Sequence, residues 1–366
     1  MAAFYLGFLV RHQEGLTPNF VLCECQLLMP QKEAIFSCII YYCIVADLCN
    51  TVCMLEIKED VALAPYTIYK IGGPARFFAE VRSAAELEEA GRFAAGKKLE
   101  FFVLGAGSNV LVSDKGFDGL IIRMTGGEVK TEGEILTADA GVMMARAVME
   151  SVKAGLTGFE WGVGVPGTIG GSVRGNAGCF GGEMKDVIES VEMFDTSNVQ
   201  HSTFNIRECE FSYRDSIFKK HPEWIILSVT LRLKKGDTAA IQNEIKRITA
   251  ERAAKQDIGT KSCGCIFKNV SWQRSDIKKE ELLARFPELA EFRERASIPA
   301  SFLIDRTGLK GRTSGHVHVS RSHANFFVND GGATAADVRD LVASAKEKVQ
   351  ARFGIALEEE IQYIGF

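Results

Sequence analysis

The sequence predicts an α+β fold in two or three domains. Three observations carry that reading. The chain has 366 residues, more than one hydrophobic core usually spans. Helix-period and strand-period segments are mixed along it without a strict β-α-β repeat. Glycine is uneven, with 19 of 35 glycines lying between Gly105 and Gly182.

The elements follow in order. Ser83-Ala-Ala-Glu86 has capping-box form and predicts a helix to about Lys97. The apolar run Leu99 to Leu104 predicts a buried strand ending at Gly105, and Leu120 to Met124 predicts another. Met143 to Lys153 predicts a helix stopped near Gly155. Leu227, Val229, Leu231 and Leu233 alternate with Ser228, Thr230, Arg232 and Lys234, the period of a half-buried strand. Gly236-Asp237-Thr238 starts a helix through about Ala254. Thr334 and Asp337 cap a last long helix that stops near Gly354, and Ala356 to Ile364 predicts a closing strand. The domain break is expected near Gly236.

Composition excludes several classes. Apolar residues at 46% and charged residues at 25% are ordinary for a soluble globular chain, and neither largely disordered nor polytopic in membranes. A net charge of −4 gives no basic footprint for nucleic acid. Cys23, Cys25, Cys38, Cys43, Cys49 and Cys53 crowd the first 53 residues. The others, Cys179, Cys209, Cys263 and Cys265, are too sparse for a disulfide scaffold and fit a reducing cytoplasm. The apolar run 34–46 has 13 residues, short of the roughly 20 that span a bilayer, so no stable membrane insertion is expected. Composition changes abruptly at Met54. Residues 1–53 are therefore expected to be an extension, with Met54 or a nearby codon the true start.

Two glycine-rich segments suit a ligand with phosphates. Gly105-Ala106-Gly107-Ser108-Asn109 follows a strand and offers backbone N–H groups for an anion. It is neither a Walker loop nor a dinucleotide fingerprint, since no Gly-Lys-Ser/Thr follows and Val110 to Asp114 does not open a helix. Alone it reads more readily as an ordinary tight turn. The second segment, Gly162 to Glu183, interleaves its glycines with Val163, Val165, Ile169, Val173 and Phe180, so it should be packed rather than act as a linker. Two such loops about 60 residues apart point to a dinucleotide. Cys263 and Cys265 lack a second ligand pair, so no metal site is expected.

Eight segments in order resemble one family. They are YTIYKIGGPA (66–75), LGAGSNVLVSD (104–114), VPGTIGGSVRGNAGCFGGE (165–183), FSYRDSIFK (211–219), GCIFKN (264–269), LIDRTGLKG (303–311), SHANFFVN (322–329) and LEEEIQYIG (357–365). The chain from about Val61 onward resembles the UDP-N-acetylenolpyruvoylglucosamine reductases. The resemblance implies an FAD-binding portion of the vanillyl-alcohol-oxidase type over 54–236, itself of two subdomains, and an α+β substrate domain over 237–366. The short interval between Arg214 and Lys255 is similar to the branch lacking an extra substrate-covering insertion. It implies noncovalent FAD, NADPH as hydride donor, and reduction of UDP-N-acetylglucosamine enolpyruvate to UDP-N-acetylmuramate for the cell wall, in the cytoplasm.

The resemblance also implies roles. Arg214 would meet the substrate carboxylate, with a structural ion pair to Asp215 as the competing reading from the residues alone. Glu360 matches the family's catalytic glutamate, and Glu358 and Glu359 are its competitors. Cys265 stands where the family usually has a proton-donating serine. A thiol's reference pKa of about 8.5 makes it the better acid of the two. Tyr213, Lys255, Asn269 and His323 match substrate contacts. Gly105, Gly107, Ser108 and Asn109, with Pro166, Gly167, Thr168, Gly170, Gly171, Ser172, Asn176, Ala177 and Gly178, match flavin contacts.

Overall fold

Two sheets dominate the first two thirds of the chain. The computed structural model describes residues 55–255 and 259–366, which excludes the 1–53 extension and the expected start at Met54. In the first sheet, β1 (Ile57–Ala62) runs antiparallel to β2 (Pro74–Val81). Helix α1 (Ala84–Lys97) follows, and then β3 (Phe101–Leu104), β4 (Val110–Val112) and β5 (Phe117–Met124). β2 and β3 both lie parallel to β5, giving the order β1-β2-β5-β3. The predicted Leu99 strand thus starts two residues later. The Leu120 strand starts three earlier, because Phe117 pairs with Ala75.

Helix α1 has the predicted N-cap, Ser83 accepting from Glu86 N–H. The Glu86 carboxylate reaches Arg82 N–H, one residue short of a complete box. Leu87, Ala90 and Ala94 form its buried face, packed on Phe77, Ala79, Leu120 and Ile122.

The second sheet is antiparallel. It contains β6 (Val129–Glu132), β7 (Ile135–Asp139), β8 (Ile188–Asp195), β9 (Gln200–Asn205) and β10 (Trp224–Arg232), in the order β9-β8-β10-β7-β6. Val229 and Leu231 of the alternating segment face its core with Leu136, Ala138 and Val191. Helix α2 (Met144–Lys153) and the short α3 (Ile169–Arg174) cover that face. Helix α4 (Thr238–Lys255) leans back on the same core through Ile245.

The last third builds its own core from α5 (Ala300–Arg306), β11 (Val317–Val319), β12 (Phe327–Asn329) and α6 (Ala335–Phe353). Helix α6 has the full predicted box. Thr334 accepts from Asp337 N–H, Asp337 accepts from Thr334 N–H, and Gly354 ends it at φ +72°. Tyr69, Ile71 and Leu111 from the first sheet's surroundings enter this core, so Leu55–Phe366 is one compact unit.

The predicted closing strand is mostly not a strand. Only β13 (Gln362–Ile364) joins a ladder, parallel to β4. Residues 356–361 instead cross the 264–269 segment, with Lys268 N–H donating to Glu358 O and Glu360 N–H to Ile266 O, both at 2.8 Å. Apolar spacing there reflects burial of Leu357 and Ile361 against α6, not a ladder.

Candidate active site

The two glycine loops, distant in sequence, press together. A Cβ on Gly105 would lie 2.5 Å from Thr168 Oγ1, and one on Gly167 would lie 3.2 Å from Ser108 Oγ. Gly107 adopts φ +64°, and a Cβ there would strike Tyr66 O at 2.4 Å. Only glycine fits these positions. Among the described residues, the N–H groups of Ala106, Gly107 and Ser108 meet no protein acceptor. Three successive donors beside a serine hydroxyl form an anion nest, which suits the diphosphate of a dinucleotide.

Not every predicted cofactor residue faces outward. Gly170 N–H is bound to Ala140 O at 2.9 Å, and its missing side chain lets α3 approach Ala140. Ala177 N–H and C=O are bound to Ser172 O and Met184 N. Asn176 is fully buried at φ +39°. Its amide donates to Glu183 Oε2 at 2.7 Å and Ser212 O at 2.8 Å, and its oxygen accepts from Lys185 N–H. This side chain staples the glycine segment to the 212–215 turn. Ser172 is buried, whereas Pro166 and Gly171 lie at the surface by the start of α3. Asn109 reaches forward, its amide donating to Glu360 O at 3.1 Å while its carbonyl accepts from Gln362 N–H at 2.9 Å.

Those bonds bring Glu360 to Arg214. Arg214 Nε donates to Glu360 Oε1 at 2.9 Å. Its terminal nitrogens donate to Gly178 O at 2.7 Å and, more weakly, to Asn176 O at 3.4 Å. The carboxylate partner is thus Glu360 and not the adjacent Asp215. Glu359 instead pairs with Lys346, and Glu358 with Arg274, so of the three acids only Glu360 faces the guanidinium. Burial pushes the Glu360 carboxyl above its ordinary pKa even though Arg214 pulls it down. For Arg214, burial opposes the charge most, but Glu360, with Tyr213 and Cys265 adding, leaves its pKa above the ordinary value.

Cys265 lies on the segment between these groups. Its residue bridges to Phe326 on one side, while the next residue's carbonyl accepts from Glu360 N–H on the other. Burial pushes its thiol up to about 12, with the Glu360 charge adding to the rise and Arg214 opposing it. The expectation of an acid near its reference value is corrected by this setting. The sulfur is held protonated, and its advantage over an alcohol is smaller than the free-solution value suggests.

The remaining predicted residues form the rim. Tyr213 is exposed beside the Arg214 guanidinium, which stands 5.1 Å from its ring centroid, and its hydroxyl accepts from Asn269 N–H at 3.4 Å. Asn269 Oδ1 accepts from Ala300 N–H. His323 packs on Phe326, 4.6 Å between centroids. Lys255 ends α4, and its side chain is outside the described residues. Sequence reasoning passed over Lys219, whose Nζ donates to Arg214 O at 2.6 Å. It also passed over Asn325, a buried side chain bonded to both N–H and C=O of Phe267. Both lie in quoted motifs, Lys219 in 211–219 and Asn325 in 322–329, but nothing local marks what either side chain binds.

Comparison with known proteins fits this geometry. Residues 75–201 match the family described as FAD binding domain, and residues 256–364 match UDP-N-acetylenolpyruvoylglucosamine reductase, C-terminal domain. The UDP-N-acetylenolpyruvoylglucosamine reductase of Solibacter usitatus is 34% identical over 311 residues, covering 85% of this chain and 97% of that protein. The chain belongs to the UDP-N-acetylenolpyruvoylglucosamine reductase family. The reductase of Lactobacillus delbrueckii subsp. bulgaricus is 35% identical over 312 residues, 85% of this chain and 96% of that one. The crystal structure of the reductase from Thermus caldophilus matches with a TM-score of 0.66 at 32% identity, over 85% of this chain and 98% of that one. The cofactor of the family's FAD-binding portion is FAD, and the nest at Ala106–Ser108 fits it.

Proposed function

We propose that this chain reduces the enolpyruvyl ether of UDP-N-acetylglucosamine enolpyruvate to UDP-N-acetylmuramate, using NADPH. The observation that carries the reading is the half-buried Arg214–Glu360 pair, 2.9 Å apart and drawn from segments 146 residues apart, beside Cys265 and the glycine segment. FAD, which the backbone nest of Ala106, Gly107 and Ser108 would hold, would supply hydride transfer from NADPH to the β-carbon of the enolpyruvyl group. Negative charge then develops toward the substrate carboxylate. Arg214 has five N–H donors, and at most three are committed to Glu360, Gly178 and Asn176. The free ones sit on its terminal nitrogens and would bind that carboxylate as its charge grows. Glu360 would hold the guanidinium in place. Cys265, kept protonated by burial, would deliver a proton to the α-carbon.

Tyr213, Asn269, Lys255 and His323 would line the sugar and diphosphate side. The division is proposed as an extension over 1–53, an FAD portion over 54–236 and a substrate portion over 237–366, of the branch without the extra insertion. Helix α4 is the connector. Among the described residues, no helix is long and apolar enough to cross a membrane, and Cys179, Cys209, Cys263 and Cys265 are free thiols. Both support a cytoplasmic setting.

The test is optical. Purified protein loaded with FAD should bleach with NADPH under anaerobic conditions and regain its flavin absorbance on adding UDP-N-acetylglucosamine enolpyruvate. Bleaching without recovery would leave an NADPH-oxidising flavoprotein with a different acceptor and refute the reading.

A further inference from the structure

We propose that Lys219 is a positioning residue that locks the backbone of Arg214 in the conformation that aims its guanidinium. The inference rests on the reading of Arg214 as the group that meets the substrate carboxylate.

The sequence Ser212-Tyr213-Arg214-Asp215 makes a tight hairpin. Ser212 N–H donates to Asp215 O at 3.1 Å, and Asp215 N–H donates to Ser212 O at 3.2 Å. Tyr213 and Arg214 are the two tip residues, and Arg214 has φ +56°. Tip positions with positive φ normally hold glycine or asparagine. Any residue with a Cβ is strained there and must be held by its surroundings. The side chain is held by Glu360, Gly178 and Asn176. On the main-chain side, the carbonyl accepts from Lys219 Nζ at 2.6 Å.

That ammonium comes from a rigid base. Phe218, fully buried, and Ile217 fix the four-residue helix Ile217–Lys220. Ser216, also fully buried, ties its start to Arg174 O at 2.7 Å. A charge-assisted bond to the carbonyl fixes ψ of Arg214, and so fixes the direction of its Cα–Cβ bond. Without it, right-handed and extended conformations open, and the guanidinium swings off Gly178 and Glu360.

Lys219 also sits where a lysine is costly. Burial disfavours its charge most, Arg174 and Lys268 add repulsion, and Asp215 and Glu360 offset part. An apolar side chain of similar length would avoid that cost. A role in stability alone would be better served by methionine. A role in holding one carbonyl requires the donor.

The experiment compares wild type, Lys219→Met and Lys219→Arg, each FAD-loaded, in separate half-reactions. Wild-type reoxidation by UDP-N-acetylglucosamine enolpyruvate must first be seen; its absence counts against the proposed function and not against Lys219. Given it, Lys219→Met should slow reoxidation about 10- to 100-fold, the effect of misplacing a reacting group by about 1 Å or losing one charge-assisted bond. The rate of bleaching by NADPH should stay within about twofold, and the melting temperature should not fall. Lys219→Arg, which keeps a donor, should recover most of the rate. Equal slowing of both half-reactions, no slowing in Lys219→Met, or no recovery in Lys219→Arg would each overturn the proposal.

Discussion

Replacing Arg214 by alanine and by glycine separates what its side chain contributes from what its backbone costs. Both variants strand Glu360. The pair's side chains are 22% and 17% exposed, so breaking it should cost about 3 kcal/mol, the low end for a buried pair. Alanine keeps the strain of φ +56°. Glycine relieves about 1–2 kcal/mol of it, and the extra freedom of an unfolded glycine removes part of that gain. Urea denaturation of the FAD-loaded proteins should therefore place Arg214→Gly about 1 kcal/mol above Arg214→Ala, and about 2 below wild type. Adding Glu360→Gln to Arg214→Gly removes the stranded charge and should recover more than half of the loss, a coupling read from the double-mutant cycle. All these variants should lose reoxidation by the enolpyruvyl substrate. Equal stability of the alanine and glycine variants would refute the strained turn. A double variant no more stable than Arg214→Gly would refute the buried charge.

Four further outcomes follow from the site. Cys265→Ser should retain substantial reoxidation by the enolpyruvyl substrate, while Cys265→Ala loses it and keeps reduction by NADPH, as stopped-flow flavin absorbance would report. With its thiol pushed up to about 12, Cys265 should have a thiolate fraction of about 10⁻⁴ at pH 8, partly offset by the greater nucleophilicity of a more basic thiolate, so iodoacetamide should label it at least about tenfold more slowly than a free cysteine, by mass spectrometry. The Glu360 carboxyl is raised by burial, so the folded state holds its proton more tightly than the unfolded state does. Its contribution to stability is full below the ordinary carboxylate pKa and is lost as pH rises through the raised value; the wild-type-minus-Glu360→Gln difference in urea midpoint should fall over that window. Gly107→Ala puts a methyl against Tyr66 O at a left-handed φ. It should yield protein with markedly less bound FAD, measured by absorbance after purification, and a lower melting temperature.

What could be read from the residues was local. Ser83, Thr334 and Asp337 mark helix starts because caps act within three residues. The alternation from Leu227 to Leu233 marks a strand because one face is buried. Glycine spacing marked both loops, and the family pattern marked Arg214, Cys265 and Glu360. The rest depends on pairing across the chain. Nothing near Gln362 says that its strand lies parallel to Val110–Val112, so the 356–364 run was read as one strand. Nothing near Asn176 or Asn109 says that their amides bind Ser212 and Glu360 rather than a ligand. Lys219 resembles any lysine at a helix end until the turn at Arg214 is folded against it.

The parallel seating of Gln362–Ile364 beside Val110–Val112 has a consequence for how the protein comes into being. Glu360 is held by Asn109, a residue made some 250 positions earlier. A growing chain can lay down the strands of both sheets before this carboxylate emerges, but Val110–Val112, next to the nest, gains its ladder partner and the packing of Ile364 only with the last residues. The cofactor nest and the partner that aims Arg214 are therefore completed by the same final segment. Chemistry on the enolpyruvyl group would begin only when the last turn of synthesis slides into its slot.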